Sequence, residues 1–152
     1  MYYKQVIVIN KELNMSSGKL AAQVSHASMA FLTRMIQRNA RIVVDRNDLG
    51  YKVNHSYNVN FDIDKDLYEQ WLGGLFTKVN LAAKNENQLK KIVEKAKEAG
   101  MTEDVDFFCI RDACLTELTP DETGSRWTCI GFRPMDASEI DPITRKLQLY
   151  KD

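Results

Sequence analysis

Four β-branched residues near the start of the chain, Val6-Ile7-Val8-Ile9, are followed by a short loop and a long helix-forming segment. A continuous apolar run of this length is typical of a strand that is buried on both faces of a sheet. The next segment, Met15 to Ala27, begins with two serines that can cap a helix and continues after Gly18 with good helix formers. A buried strand that leads directly into a helix indicates an α/β fold.

The rest of the chain continues this alternation. Asn85 and Gln88 have the spacing of a capping box for a second helix, and Gly100 is well placed to end it. We predict strands over 3–10, 77–82, 105–111 and 126–132, and helices over about 19–37 and from 85 onward. The order strand, helix, strand, helix, strand, strand predicts an α/β sandwich with a mixed sheet.

A segment at about 41–66 interrupts this order. Two strand-like runs, 41–45 and 56–63, flank a turn signal at 46–50, and 65–72 has the pattern of a short helix. The segment is too apolar for a disordered loop. We therefore predict an inserted, hairpin-like arm.

The length of 152 residues predicts one domain, residues 1–152, with a single core. No apolar run is long enough to span a membrane, and the N-terminus lacks the features of a signal peptide, so we expect a cytoplasmic protein. The three cysteines, Cys109, Cys114 and Cys129, have the spacing of neither a disulfide framework nor a zinc site.

The net charge of zero conceals an uneven distribution along the chain. Residues 1–41 contain six cationic side chains and one acidic side chain, so the remainder carries a net charge of −5. A basic N-terminal third can bind phosphates locally although the whole protein is neutral. The six cations can equally be scattered over the surface. The sequence leaves both alternatives open.

Lys19, Gln23 and His26 lie on one side of the first predicted helix, apart from its apolar stripe. Because a helix N-terminus attracts anions, Lys19 in the first turn suggests a phosphate or carboxylate site. The alternative is a solvated lysine, a surface glutamine and an ordinary, partly buried histidine.

A second polar group follows the third predicted strand. Asp112 ends that strand, Thr116 lies in the next loop, and Ser125 precedes the fourth strand. Active sites of open α/β sheets gather at strand ends. A carboxylate there can activate water, and a hydroxyl can position it. The alternative is ordinary turn chemistry.

Both groups belong to longer patterns. The first is Gly18-Lys19-Leu20-Ala21-Ala22-Gln23-Val24-Ser25-His26-Ala27. The second comprises Asp112-Ala113, Thr116, Pro120, Gly124-Ser125, Thr128, Ile130-Gly131 and Pro134, and the chain closes with Ile140-Asp141 and Leu147-Gln148-Leu149-Tyr150. In this order they resemble the type 2 peptidyl-tRNA hydrolases, the archaeal and eukaryotic type. The resemblance covers nearly the whole chain apart from the insert.

This resemblance implies a three-layer α/β/α sandwich with a mixed four-stranded sheet, in a family whose members are often dimeric. It implies hydrolysis of the ester that joins a peptide to tRNA, with peptidyl-tRNA as the partner, a homodimer as the assembly, and neither a metal nor an organic cofactor. The catalytic positions that it implies are Lys19, Asp112 and Thr116. The supporting or substrate-binding positions that it implies are Gln23, His26 and Ser125.

The chain departs from the family pattern in three places. Cys114-Leu115 stands where the family has Gly-Arg, residues 121–123 lengthen the next loop, and the insert separates His26 from Trp71. All three departures leave the implied catalytic positions in place.

Two other functions stay open from the sequence. One is a non-catalytic binding or regulatory module whose arm contacts a protein partner. Exposure of Tyr51, Tyr57 and Tyr68 as one apolar patch would favour it. The other is a hydrolase that acts on a different ester or amide.

Overall fold

The apolar run near the N-terminus forms strand β1, Tyr3–Asn10, at the centre of a mixed sheet in a computed structural model of residues 1–152. Strand β4, Lys78–Ala83, runs parallel to β1 on one side, and β6, Arg126–Phe132, runs antiparallel on the other. Strand β5, Phe107–Asp112, pairs antiparallel with β6. The predicted α/β fold with a mixed sheet is confirmed.

The sheet contains six strands, whereas the sequence resemblance implies four. The two additional strands have two residues each: β7, Met135–Asp136, pairs with β1, and β8, Gln148–Leu149, pairs with β4. Two residues are too few to show an alternating pattern, so the sequence does not predict them. Helix α4, Ala137–Thr144, is also absent from the prediction, because Pro142 reads as a helix breaker.

The two longest helices lie where the sequence predicts them. Helix α1, Ser17–Asn39, extends two residues beyond the predicted bounds at each end. Helix α3, Glu86–Glu98, is capped by Asn85, whose side chain accepts a hydrogen bond from the Gln88 N–H at 2.9 Å. Gly100 follows the helix with a φ of +88°. None of the helices is both long and apolar enough to cross a membrane.

Alternate residues of β1 face opposite sides of the sheet, and helices cover both sides. Val6 and Val8 belong to the larger core, which includes buried residues of α3 and α4. Ile7 and Ile9 belong to a smaller core beneath α1. The buried residues of α3 are those on the predicted apolar face: Leu89, Ile92, Val93 and Ala96. Packing on both sides fixes the start of α1 against the edge of the sheet at which β5 ends.

The inserted segment forms a β-hairpin. Strands β2, Ala40–Arg46, and β3, Lys52–Val59, pair antiparallel in a separate two-stranded sheet. The hairpin is confirmed, but its second strand begins and ends four residues earlier than the predicted 56–63. The turn sets the register of an exposed hairpin, and here Gly50 donates to the carbonyl of Asn47 at 2.9 Å. The apolar pattern was therefore a poor guide to its bounds.

The short helix predicted over 65–72 is helical but longer. Helix α2, Lys65–Leu67, continues as a π-helix over Tyr68–Leu75. The side chain of Trp71 in this segment is buried, and its indole N–H donates to the carbonyl of Thr77 at 2.8 Å. The π-helix therefore anchors the segment that leads into β4.

Candidate active site

One edge of the sheet gathers the C-terminal ends of β1, β4 and β5. Because β5 and β1 are both antiparallel to β6, they run in the same direction. Asp112 is the last residue of β5, and Lys19 lies in the first turn of α1. The Nζ atom of Lys19 lies 2.6 Å from Oδ1 of Asp112, and the two side chains are only 15% and 12% exposed. The fold therefore forms an ion pair from two of the predicted site residues.

Gln23 lies one helical turn after Lys19 and faces the same carboxylate. Its Nε2 atom lies 3.5 Å from Oδ1 of Asp112, and its Oε1 accepts a hydrogen bond from the hydroxyl of Thr128 at 2.7 Å. Gln23 and Thr128 are both buried. Because Thr128 holds the amide oxygen, the amide N–H groups are directed toward Asp112.

The other carboxylate oxygen of Asp112 is held by the loop that follows it. The backbone N–H of Cys114 donates to Oδ2 at 3.0 Å, and Cys114 has a φ of +59°. Burial and the neighbouring Asp112 raise the pKa of the Cys114 thiol. A protonated thiol is a weak nucleophile, so the chemistry of this site centres on the carboxylate.

The start of α1 binds an anion from within the chain. Ser16 caps the helix, because its hydroxyl accepts a hydrogen bond from the Lys19 N–H at 3.3 Å. The hydroxyl and the N–H of Ser16 also donate to the carboxylate of Glu117, at 2.5 and 2.7 Å. These hydrogen bonds hold the pKa of Glu117 below its usual range. The anion at this helix N-terminus is thus Glu117, and the contact ties the loop after β5 to α1.

Three predicted site residues lie apart from the ion pair. Thr116 is exposed in the loop after β5, and His26 is exposed on α1; neither side chain makes a hydrogen bond. The hydroxyl of Ser125 lies 3.0 Å from that of Thr123, within a turn over 121–125. The structure therefore joins Lys19 and Gln23 to Asp112. It leaves Thr116 and His26 exposed, and it pairs the half-buried hydroxyl of Ser125 with Thr123.

The family model described as "Peptidyl-tRNA hydrolase PTH2" matches residues 3–150. The chain belongs to this family. A peptidyl-tRNA hydrolase of Methanopyrus kandleri is 34% identical over 149 residues, covering 98% of this chain and 99% of the relative. One of Haloquadratum walsbyi is 32% identical over 147 residues, covering 97% and 99%. One of Saccharolobus islandicus is 31% identical over 146 residues, covering 96% and 98%. The sequence resemblance is confirmed.

The basic side chains at the start of this PTH2 family member do not form one patch. Lys4 pairs with Asp141 at 2.6 Å, and Arg34 lies 3.8 Å from Asp104. Helix α1 is roughly 35 Å long at 1.5 Å per residue, so its arginines lie far from Lys19 at its first turn. Of the two alternatives, the structure favours scattered cations.

Sequence reasoning gave no role to two residues that organise the PTH2 site. Thr128 is a fully buried polar residue within the apolar part of β6, and that interruption is the signal that could have identified it. Glu117 carried no such signal, because its contact with Ser16 joins positions 101 residues apart. No group of three or more His, Cys, Asp and Glu side chains lies close enough together to hold a metal ion.

Proposed function

We propose that this PTH2 family member hydrolyses the ester bond between a peptide, or an N-blocked aminoacyl group, and tRNA. The single observation that carries the proposal is the pairing of Lys19 with Asp112 at the edge where three strands and α1 meet. The three curated relatives above bear the name of this activity. Free tRNA and the released acid are the two products.

Asp112 serves as the general base. Its carboxylate takes a proton from water while the water oxygen bonds to the carbonyl carbon of the ester. Gln23 and the backbone N–H of Cys114 keep the carboxylate oriented for this step. The negative charge then moves to the carbonyl oxygen.

Lys19 stabilises that charge. An ammonium group has three N–H donors, of which one is directed to Asp112 and two are available for the developing oxyanion. When the intermediate collapses, the carbon–oxygen bond to the ribose breaks and the proton passes from Asp112 to the ribose oxygen. Each step uses only water, the substrate and groups of this chain.

Thr116, His26 and Ser125, the site residues outside the ion pair, contact the substrate. Thr116 positions the attacking water or the ester carbonyl. Its loop is held on one side by the contact of Cys114 with Asp112 and on the other by the contact of Glu117 with Ser16. His26 and Ser125 bind the tRNA. An enzyme that accepts many tRNAs needs contacts chiefly to phosphate and ribose, which are common to all of them.

The test is release of free tRNA from an N-acetyl-aminoacyl-tRNA. We expect the wild type to release tRNA and Asp112→Asn to do so at least about a hundredfold more slowly. Asp62→Asn, which neutralises an exposed aspartate, is the matched control and should match the wild type. Failure of the folded wild type to release tRNA, or equal rates for Asp112→Asn and the wild type, would contradict the proposal.

A binding role for the hairpin is the second candidate function. Tyr51 and Tyr57 of the hairpin are 68% and 60% exposed, and Tyr68 of the π-helix is 59% exposed, so all three are accessible to a partner. We propose that the chain is one domain and that the hairpin is an insertion in it. The hairpin begins roughly 30 Å along α1 from Lys19, so we propose that its role is separate from hydrolysis. Replacing residues 41–58 with a short Gly-Ser linker should leave hydrolysis at the wild-type rate. The molecular mass in solution of the wild type and of the variant without the hairpin shows whether the hairpin joins two copies of the chain. The resemblance to an often dimeric family favours a dimer.

A further inference from the structure

A cavity of about 350 Å³ opens between β4 and β8, at the same edge of the sheet as Asp112. Lysines from three separate segments line it: Lys11 after β1, Lys84 after β4 and Lys146 before β8. The other side chains that line it are apolar or carry amides, and none is acidic. We call it the lysine cavity.

No carboxylate of the chain neutralises these three lysines. Lys11, Lys84 and Lys146 form no salt bridge, whereas four other lysines pair with an acidic side chain: Lys4, Lys19, Lys90 and Lys97. Three ammonium groups around one concave surface concentrate positive potential. Such a surface favours an anionic ligand.

The lysine cavity is linked by packing to the core beneath α1. Lys11 lies over the ring of Tyr150, 5.7 Å from its centroid. Tyr150 and Leu13 pack against the same core cluster as Met15, which lies two residues before the first residue of α1. Tyr150 therefore contacts both a lysine of the cavity and the core that lies beneath the helix carrying Lys19.

The neighbouring cavity differs in charge. It is lined by three carboxylates, Glu12, Glu86 and Asp121, and by the guanidinium of Arg126. The net negative charge there disfavours phosphate. Of these two cavities, the lysine cavity is therefore the one whose charge favours phosphate.

We propose that the lysine cavity binds backbone phosphates of the tRNA substrate, near the 3′ end that carries the ester. The inference rests on the proposed function. Strands lie about 4.8 Å apart, which puts β4 and β8 about 14 and 19 Å from the strand that ends at Asp112. At about 3.4 Å per phosphate in a stacked strand, the cavity meets the phosphates about four to six nucleotides from the ester.

The first test compares two substrates that carry the same N-acetyl-aminoacyl group. One is full-length tRNA, and the other is a trinucleotide that is too short to reach the cavity. In Lys84→Ala/Lys146→Ala, kcat/KM for full-length tRNA should fall about tenfold further than kcat/KM for the trinucleotide. Lys95→Ala/Lys97→Ala removes the same charge from the exposed surface of α3 and is the control. Equal losses on both substrates would overturn the inference.

The second test measures binding of uncharged tRNA as a function of salt, and so does not depend on catalysis. Loss of two phosphate contacts should reduce the magnitude of the slope of log affinity against log salt concentration by about 1.4. Between about 50 and 200 mM salt, the affinity of the wild type should therefore fall about sevenfold more than the affinity of Lys84→Ala/Lys146→Ala. Equal slopes for the two double variants would overturn the inference, even if inorganic phosphate binds the cavity. Absence of hydrolysis by the wild type would instead contradict the proposed function.

Discussion

Cys114 occupies a backbone conformation that favours glycine. Its φ of +59° lies in the left-handed region, which costs about 1–2 kcal/mol for a residue with a Cβ atom. The turn cannot relax freely, because the N–H of Cys114 holds Oδ2 of Asp112. The family pattern has glycine at this position, so the chain keeps the contact at a conformational cost.

Replacing Cys114 with glycine should therefore stabilise the protein. We expect Cys114→Gly to raise the free energy of unfolding by about 0.5–1 kcal/mol. The substitution relieves the backbone strain, and the greater conformational entropy of glycine in the unfolded chain offsets part of that gain. Urea denaturation measures the change. Cys114→Ala keeps the Cβ atom and should give no gain, so an equal gain in both variants would trace the effect to the thiol.

Single site residues were predictable only where a local pattern carries them. Helical spacing put Lys19 and Gln23 on one side of α1, and the end of an apolar strand marked Asp112. The contact of Gln23 with Thr128 joins positions 105 residues apart, and no local pattern encodes it. The sequence therefore predicted the two charged groups that meet at the site better than the groups that orient them.

Helix α1 lies very close to β6. A Cβ atom on Gly131 would clash with the backbone of Ala27, chiefly with its carbonyl oxygen. Ala27 is itself buried, so the helix backbone has no room to yield. The closeness of these two elements fixes the height of α1, and thereby of Lys19, above the sheet.

Gly131→Ala should force the two elements apart. We expect it to lower the free energy of unfolding by about 2–3 kcal/mol, as overpacked core substitutions do. Gly18→Ala is the control, because a Cβ atom there meets nothing within 4 Å. If guanidinium denaturation gave equal stabilities for the two variants, α1 would not be held by this contact.

The link between the loop after β5 and α1 should depend on pH. The pKa of Glu117 is lower in the folded chain than in the unfolded chain, where it is about 4.3. The ionised carboxylate therefore stabilises the fold above the unfolded pKa. This stabilisation is lost as the pH falls through the folded pKa. Glu117→Gln should therefore lower Tm at pH 7, and the difference should be smaller at an acidic pH below the unfolded pKa. Glu122→Gln, in the next loop, should leave Tm unchanged at both pH values. A Glu117→Gln difference that persists in acid would contradict this account.

Whole elements were predictable in proportion to their length and burial. Strands β1 and β6 have their predicted bounds, because burial on both faces produces continuous apolar runs. The exposed strand β3 shifted by four residues, and the two-residue strands β7 and β8 were missed. Burial leaves a pattern in the sequence, and exposed or very short pairing does not.

The positions of charged side chains on the folded protein differ from their distribution along the sequence. The basic N-terminal third is divided among distant places, while Lys11, Lys84 and Lys146 come together from segments 62 or more residues apart to line one cavity. That cavity and the ion pair of Lys19 with Asp112 share one edge of the sheet. A neutral protein thus carries a local cluster of unpaired lysines on the same edge of the sheet as its candidate catalytic groups.

We propose that Lys19 and Asp112 act as one catalytic unit, and a double-mutant cycle on kcat measures the coupling between them. The variants are Lys19→Met, Asp112→Asn and their combination, assayed on N-acetyl-aminoacyl-tRNA. We predict that each single change slows hydrolysis at least about a hundredfold and that the double variant is no slower than the worse single variant. Losses that multiply in the double variant, or a wild-type rate in either single variant, would contradict the claim.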